Sequence, residues 1–313
     1  MSANRGRGLS GTVELGRRRW AVAAGIAAAA VASAAWAEPP AAVVADPPAD
    51  PAHPAAMAYV RVPSHGELLN GVLYSASGAG PHPTVLLLHG FPGNEQNLDL
   101  AQAMRRAGFN VLTLHYRGAW GSPGAFSFAH AIEDSDAALA FLREPATVAR
   151  FGVDPKRIFV AGHSMGGFLA ASAAAHDPAL AGLIMISAWD IGPSGAGFRD
   201  PAARKAAKTA EFDDDVIPLA GTSADALMDE AQAHASSWDF VDDAAAIGLR
   251  PALLITSDDG SYPDSHRLAE RLRQGAGRVT EIQMPTDHPY SDHRIALEAA
   301  VVGWLQKQVG AGP

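Results

Sequence analysis

Apolar residues come along this chain in short blocks, and the blocks follow two different spacings. Residues 84–88 read Thr-Val-Leu-Leu-Leu, a continuous run of the kind a strand buried on both faces requires. Apolar-rich stretches at 110–115, 157–161, 183–186, 251–256 and 279–284 are predicted as further strands. Between them the spacing turns helical. Leu100 and Met104 lie one turn apart ahead of Gly108, a C-terminal stop signal. Ile132, Leu139 and Leu142 mark a second helix face, residues 165–176 a small-residue helix, and residues 265–272 a fourth. Leu297, Val301, Trp304 and Leu305 follow at i, i+4, i+7 and i+8. Two early stretches, 59–62 and 71–74, read as strands of a meander. Strands alternating with helices predict a mostly parallel sheet with helices on both faces. Reactive groups in such sheets gather at the carboxyl ends of the strands.

One stretch breaks the alternation. Residues 189–249 are long, mixed and polar, with Pro193, Gly195, Gly197 and the run Asp213-Asp214-Asp215, and helices are expected within it, for example around 224–235. An insertion at the carboxyl end of a strand, here about 190–249, is placed to form a small cap over a site. At the other end, Arg17, Arg18 and Arg19 precede Trp20 and an Ala-rich apolar run from 21 to 35. The run is short for a membrane span and closes on Ala35-Trp36-Ala37, a small-residue cleavage pattern before Glu38. Residues 1–37 are therefore expected to be an export signal, and the consecutive arginines resemble the twin-arginine type. That implies a periplasmic or secreted bacterial protein with no stable membrane insertion once the signal is cut. Residues 38–57, rich in Ala and Pro, read as an extended, solvated linker to a domain at 58–313.

Composition narrows the choices. Hydrophobic residues make up 48% of the 313-residue chain, enough for a sizeable core. A net charge of −9 argues against a nucleic-acid partner. With no cysteine, disulfides, zinc–thiolate sites and a thiol nucleophile are excluded. No histidine or carboxylate spacing suggests a metal site.

The candidate chemistry centres on residues 159–168, FVAGHSMGGF. A strand that turns at once into a helix forces the residue at its tip into a strained conformation, with the side chain presented outward. Neighbours two positions away must then be almost without side chain. Gly162 and Gly166 meet that demand around Ser164, and Gly167 lets the helix approach the sheet. The serine would also sit at a helix N-terminus, which favours a developing negative charge.

With Gly162-His163-Ser164-Met165-Gly166-Gly167 as its nucleophile elbow, the chain resembles the α/β-hydrolase superfamily over about residues 59–305. The resemblance implies an eight-stranded, mostly parallel sheet whose second strand is antiparallel, and a triad in the order Ser, acid, His. It implies Ser164 as nucleophile and the N–H groups of Met165 and Phe91 as oxyanion donors, the latter in the loop His89-Gly90-Phe91-Pro92. Pro92 has no N–H to give. The acid is Asp259 or Asp258, and Pro263 four residues on favours Asp259. The base is His288 rather than His293. Residues 116–124 resemble loops of prolyl-oligopeptidase and serine-aminopeptidase branches, which makes Trp120 a candidate substrate contact, as are Trp189 after the sixth strand and His163 beside the serine. The implied activity needs no cofactor. It is hydrolysis of a small-molecule carboxylic ester through an acyl-enzyme, with a peptidase or aminopeptidase as the alternative and a non-catalytic binding protein behind both.

Overall fold

The computed structural model describes residues 38–310. The expected export signal lies outside the described residues. Eight strands form one sheet: β1 Ala56–Ser64, β2 Glu67–Ser75, β3 His82–Leu88, β4 Asn110–Leu114, β5 Val153–His163, β6 Gly182–Ile186, β7 Ala252–Thr256 and β8 Val279–Gln283. Their spatial order is β1-β2-β4-β3-β5-β6-β7-β8. β2 runs antiparallel to both β1 and β4, and every other pairing is parallel. The order reverses between β3 and β4, so β3 and β5 lie side by side at the centre. Reactive groups carried after these two strands therefore meet at one end of the sheet.

The helices follow in chain order as α1 Ala41–Val44, α2 Leu98–Arg106, α3 Phe128–Arg143, α4 Pro145–Phe151, α5 Met165–His176, α6 Ile191–Gly197 and α7 Pro201–Ala207. A π-helical segment, Lys208–Phe212, runs into α8 Asp213–Asp215. Then come α9 Ala224–Ala233, α10 Ala244–Ile247, α11 Tyr262–Gln274 and α12 Arg294–Gly310. Alternate strand residues serve opposite cores, as the two-residue period dictates. Leu86 and Leu88 of β3 pack with α3 and α5, whereas Val85 and Leu87 pack with α2 and α12. Leu297, Val301, Trp304 and Leu305 are all buried, as their spacing predicts.

Three segments depart from the expected pattern. Residues 38–57 are not a free linker throughout. Val43 of α1 is buried, and Arg106 donates to the carbonyls of Ala42 (2.6 Å) and Val43 (3.2 Å), so the segment docks on α2 and α12. α4 was not expected, although Pro145 occupies its first turn, where a missing N–H does no harm. Residues 190–249 carry several short helices, and of these only the one at Ala224–Ala233 had a place assigned from the sequence.

A buried ion pair locks the loop after β4 to α3. Asp134, fully buried, accepts from Ser64 Oγ (2.5 Å) and from the backbone N–H and Nε of Arg117 (2.7 Å each).

Candidate active site

β5 ends at His163 and α5 begins at Met165, leaving Ser164 alone to make the turn. Its backbone sits at φ 57°, ψ −123°, a costly conformation for a residue with a Cβ. The elbow exists only because its flanks lack side chains. A Cβ on Gly162 would stand 1.9 Å from the Gly166 carbonyl oxygen, and one on Gly166 would stand 2.2 Å from that of Leu88. A Cβ on Gly167 would stand 2.5 Å from that of Ala188, which is why α5 can lie so close to the strand ends. Ser164 itself is half-buried and lines a cavity of about 630 Å³.

The loop after β3 presses against the elbow. A Cβ on Gly90 would come within 2.9 Å of Ser164 Cβ. Side chains hold this loop from behind. His89 Nδ1 bonds the Gly90 carbonyl at 2.8 Å, Tyr116 donates to the His89 carbonyl at 2.9 Å, and Trp120 Nε1 donates to the Pro92 carbonyl at 2.8 Å. Burial pulls the His89 imidazole down to about 4, so it is neutral and Nδ1 is the donor. Among the described residues the backbone N–H groups of Phe91 and Met165 have no hydrogen-bond partner, while Ser164 N donates to Ile186. Trp120, expected at the substrate, lines neither cavity beside Ser164 and instead braces the loop. Its indole is committed to Pro92, which explains the difference.

Asp259 and His288 come together as the sequence suggested. Asp259 Oδ2 lies 2.6 Å from His288 Nδ1, and Asp259 Oδ1 accepts from Ser261 N (2.9 Å) and Ser261 Oγ (2.6 Å). Burial acts to raise the Asp259 pKa, but hydrogen bonds from His288, Ser261 and Ser187 outweigh it and hold the group far below the usual carboxylate range. Asp258 points elsewhere: its N–H donates to Thr286, and its carboxylate meets only the Gln283 amide at 3.5 Å. His293 pairs with Asp292 at 2.8 Å ahead of α12. His288 lines the same two cavities as Ser164. Among the described residues no hydrogen bond joins the two side chains, and such contacts are often loose before substrate binds.

His163 supports the base from the side. Its Nε2 lies 2.9 Å from the His288 carbonyl, and the two rings are 4.6 Å apart. Burial, then the neighbouring His288, pull His163 down to about 3, so it stays neutral and donates through Nε2. Below it, Ser187 Oγ lies within 3.0 Å of Ser257 Oγ and 2.9 Å of the Tyr290 hydroxyl.

Sequence reasoning missed Arg294. Its Nη1 donates to the Pro289 carbonyl (2.9 Å), its Nη2 to Asn97 Oδ1 (3.0 Å) and its Nε to Asp99 Oδ2 (2.7 Å). One guanidinium thus ties the segment beside His288 to the loop that follows β3. The three bonds leave from three different nitrogens, a spread that the planar guanidinium provides.

The insertion supplies the far wall of the larger cavity through Glu211, Phe212 and Asp215. Trp189 and Asp190, directly after β6, line it as well, and Trp189 Nε1 is held by Ser194 Oγ at 2.7 Å. A smaller cavity of about 220 Å³ shares Phe91, Ser164, Asp215 and His288 and reaches His163.

A model described as the alpha/beta hydrolase family matches residues 85–302. Solved structures of similar fold include an esterase from Pyrobaculum calidifontis, 19% identical, with a TM-score of 0.60 over 82% of this chain and 86% of that one. Est1E from Butyrivibrio proteoclasticus is 18% identical, with a TM-score of 0.62 over 80% of this chain and 99% of that one. Acylaminoacyl peptidase from Pyrococcus horikoshii is 18% identical, with a TM-score of 0.58 over 81% of this chain and 42% of that one. At these identities the likeness is one of fold. No curated relative matches the chain in sequence.

Proposed function

The chain belongs to the alpha/beta hydrolase family, and from that premise we propose that it is a serine hydrolase of carboxylic esters. The observation that carries the reading is the 2.6 Å contact between Asp259 and His288 Nδ1, on a histidine that shares both cavities with Ser164. An aspartate on Nδ1 fixes the imidazole tautomer, leaving Nε2 free to take a proton. In this reading His288 removes the Ser164 proton as Oγ attacks the ester carbonyl carbon. The oxyanion is received by the N–H groups of Phe91 and Met165, which have no other partner. His288 then gives its proton to the leaving alcohol, and water repeats the cycle on the acyl-enzyme.

The elbow strain supports the same assignment. A non-glycine residue at φ 57° costs free energy that packing alone does not explain, and such residues concentrate at reactive sites. Export from the cytoplasm, with cleavage after Ala37, is part of the proposal and rests on the arginines, the Ala-rich run and the small-residue junction. N-terminal sequencing of exported protein should begin at Glu38.

The decisive experiment is labelling with a fluorophosphonate, alongside turnover of nitrophenyl esters and aminoacyl nitroanilides. Wild-type protein should label at Ser164 and turn over esters. Ser164→Ala should lose both while keeping its unfolding midpoint. Ester turnover retained in that variant would remove the serine from the mechanism, and turnover of anilides alone would make the enzyme a peptidase.

A further inference from the structure

The ester-cleaving cycle leaves several groups in the larger cavity without a task. Apart from the Asp259–His288 pair, its charged lining consists of carboxylates only, from Asp190, Glu211, Asp215 and Asp264. Among the described residues no Lys or Arg lines either cavity beside Ser164. Asp264 is neutralised by Arg267 at 2.8 Å. Of the four cations of the insertion, Arg204 pairs with Asp225 and Asp229 and Lys208 pairs with Asp225, while Arg199 and Lys205 are exposed and line neither cavity. Asp190, Glu211 and Asp215 have no ion-pair partner among the described residues.

Asp190 points to a missing ligand independently of that count. The residue is only 3% exposed, its Oδ1 accepts from the Phe240 N–H at 3.3 Å, and its Oδ2 has no hydrogen-bond partner. A buried oxygen left in this way is costly, and native structures leave few of them unexplained. Burial, reinforced by Asp239, pushes the Asp190 carboxyl up to about 8. Burial, reinforced by Glu211 and Asp214, pushes Asp215 up to about 6. Both shifts are the response of acids that lack a counter-charge.

The uncharged lining suits a cation as well. Phe91, Trp189 and Phe212 form one aromatic cluster on the cavity, with Phe91 and Phe212 5.4 Å apart and Trp189 and Phe212 6.2 Å apart. Ring faces attract ammonium groups, most strongly where water is excluded.

We propose that this cavity takes substrates carrying an ammonium group, with Glu211 and Asp215 as its counter-charges, the Asp190 carboxyl as a further hydrogen-bond partner and the aromatic cluster as its wall. The substrates would then be cationic esters or amides, a refinement that rests on the serine-hydrolase reading for its chemistry but not for its binding. Asp215 lines both cavities together with Ser164 and His288, so the positive charge would lie close to the scissile carbonyl.

The test reads binding without turnover. The full-length Ser164→Ala variant is titrated by calorimetry at pH 7 with benzylammonium and, separately, with benzyl alcohol, its neutral counterpart in shape. Benzylammonium should bind at least tenfold more tightly. Adding Glu211→Gln and Asp215→Asn, both on the insertion and away from the sheet, should shrink that ratio at least threefold. Equal affinities in the starting variant, or a ratio unmoved by the two substitutions, would overturn the proposal. Wild-type turnover of neutral nitrophenyl acetate tests the hydrolase reading separately, so either idea can fail while the other stands.

Discussion

Gly166 offers a sharp test of how the site is assembled. A Cβ there would stand 2.2 Å from the carbonyl oxygen of Leu88, 2.7 Å from its carbonyl carbon and 2.8 Å from the oxygen of His89. All three are backbone atoms, so no change of rotamer relieves the clash. Lengthening the 2.2 Å contact to 3.0 Å, the least that real Cβ atoms accept, separates the first turn of α5 from the end of β3 by about 0.8 Å. Those two segments carry the proposed oxyanion donors, Met165 on one and Phe91 on the other. A displacement of that size takes one donor out of the short range in which it is effective, and losing a donor costs about 10²–10³ in kcat. Overpacking adds a stability loss of about 1–3 kcal/mol. Gly166→Ala should therefore fold with a lowered Tm, turn over nitrophenyl esters about 100-fold more slowly or worse, and label with fluorophosphonate correspondingly slowly. Gly197→Ala, at a position with nothing within 4 Å of the added carbon, is the matched control and should change neither quantity appreciably. A Gly166→Ala protein with wild-type kcat and Tm would refute the claim that this contact sets the donor geometry.

Arg294→Ala should lower kcat about tenfold or more and destabilise the fold by roughly 1–3 kcal/mol, because it frees both the Pro289 segment and Asn97 from one anchor. Arg294→Lys should recover less than half of either loss, as read by ester kinetics and urea unfolding, since a compact ammonium cannot reach from one nitrogen the three acceptors that the guanidinium reaches from three. Asp190 gives a pH signature whose sign follows from its raised pKa of about 8. Between the ordinary carboxylate value and that figure the folded state holds a proton that the unfolded state has lost, so stability falls as pH rises through the window. Asp190→Asn removes this slope and should gain on wild type from pH 5 to pH 8, by at most about 1.4 kcal/mol per pH unit. Urea unfolding at the two pH values that showed no such divergence would contradict the assignment of an uncompensated acid.

The parts of the fold and site that were legible in the sequence are those whose determinants are local. Ser164 follows directly on β5, Asp259 lies three residues past β7 and His288 five past β8, places at which the resemblance to the α/β-hydrolases puts the nucleophile, the acid and the base. β5 was read four residues too short at its start because Asp154, Pro155 and Lys156 look nothing like a buried strand. Helices were expected in the insertion, but α6, α7, α8 and α10 could not be placed because they have seven residues or fewer, too few for a 3.6-residue period to declare itself. Arg294 had no local signal at all, since its partner Asp99 lies 195 residues away. Of the run Asp213-Asp214-Asp215 only Asp215 turns inward while its two neighbours remain exposed, a difference that three identical residues in a row cannot signal. Trp120 was misread because an aromatic beside a glycine-rich turn serves equally well as a brace or as a wall.

The π-helical stretch Lys208–Phe212 has an evolutionary consequence. It carries Glu211 and Phe212 to the cavity, and Asp215 follows in the next turn. A π segment holds one more residue than the α-helical turn it replaces. Deleting a single residue there would restore the α-helix and rotate the two sides of the join by about 100° relative to each other. Glu211 and Phe212 could then no longer face the same space as Asp215. The sheet and the elbow lie outside this stretch, and the loop after β3 meets it through the Phe91 ring against Phe212. Which compounds are admitted can thus drift through one-codon insertions and deletions, while the machinery that breaks the bond is inherited unchanged.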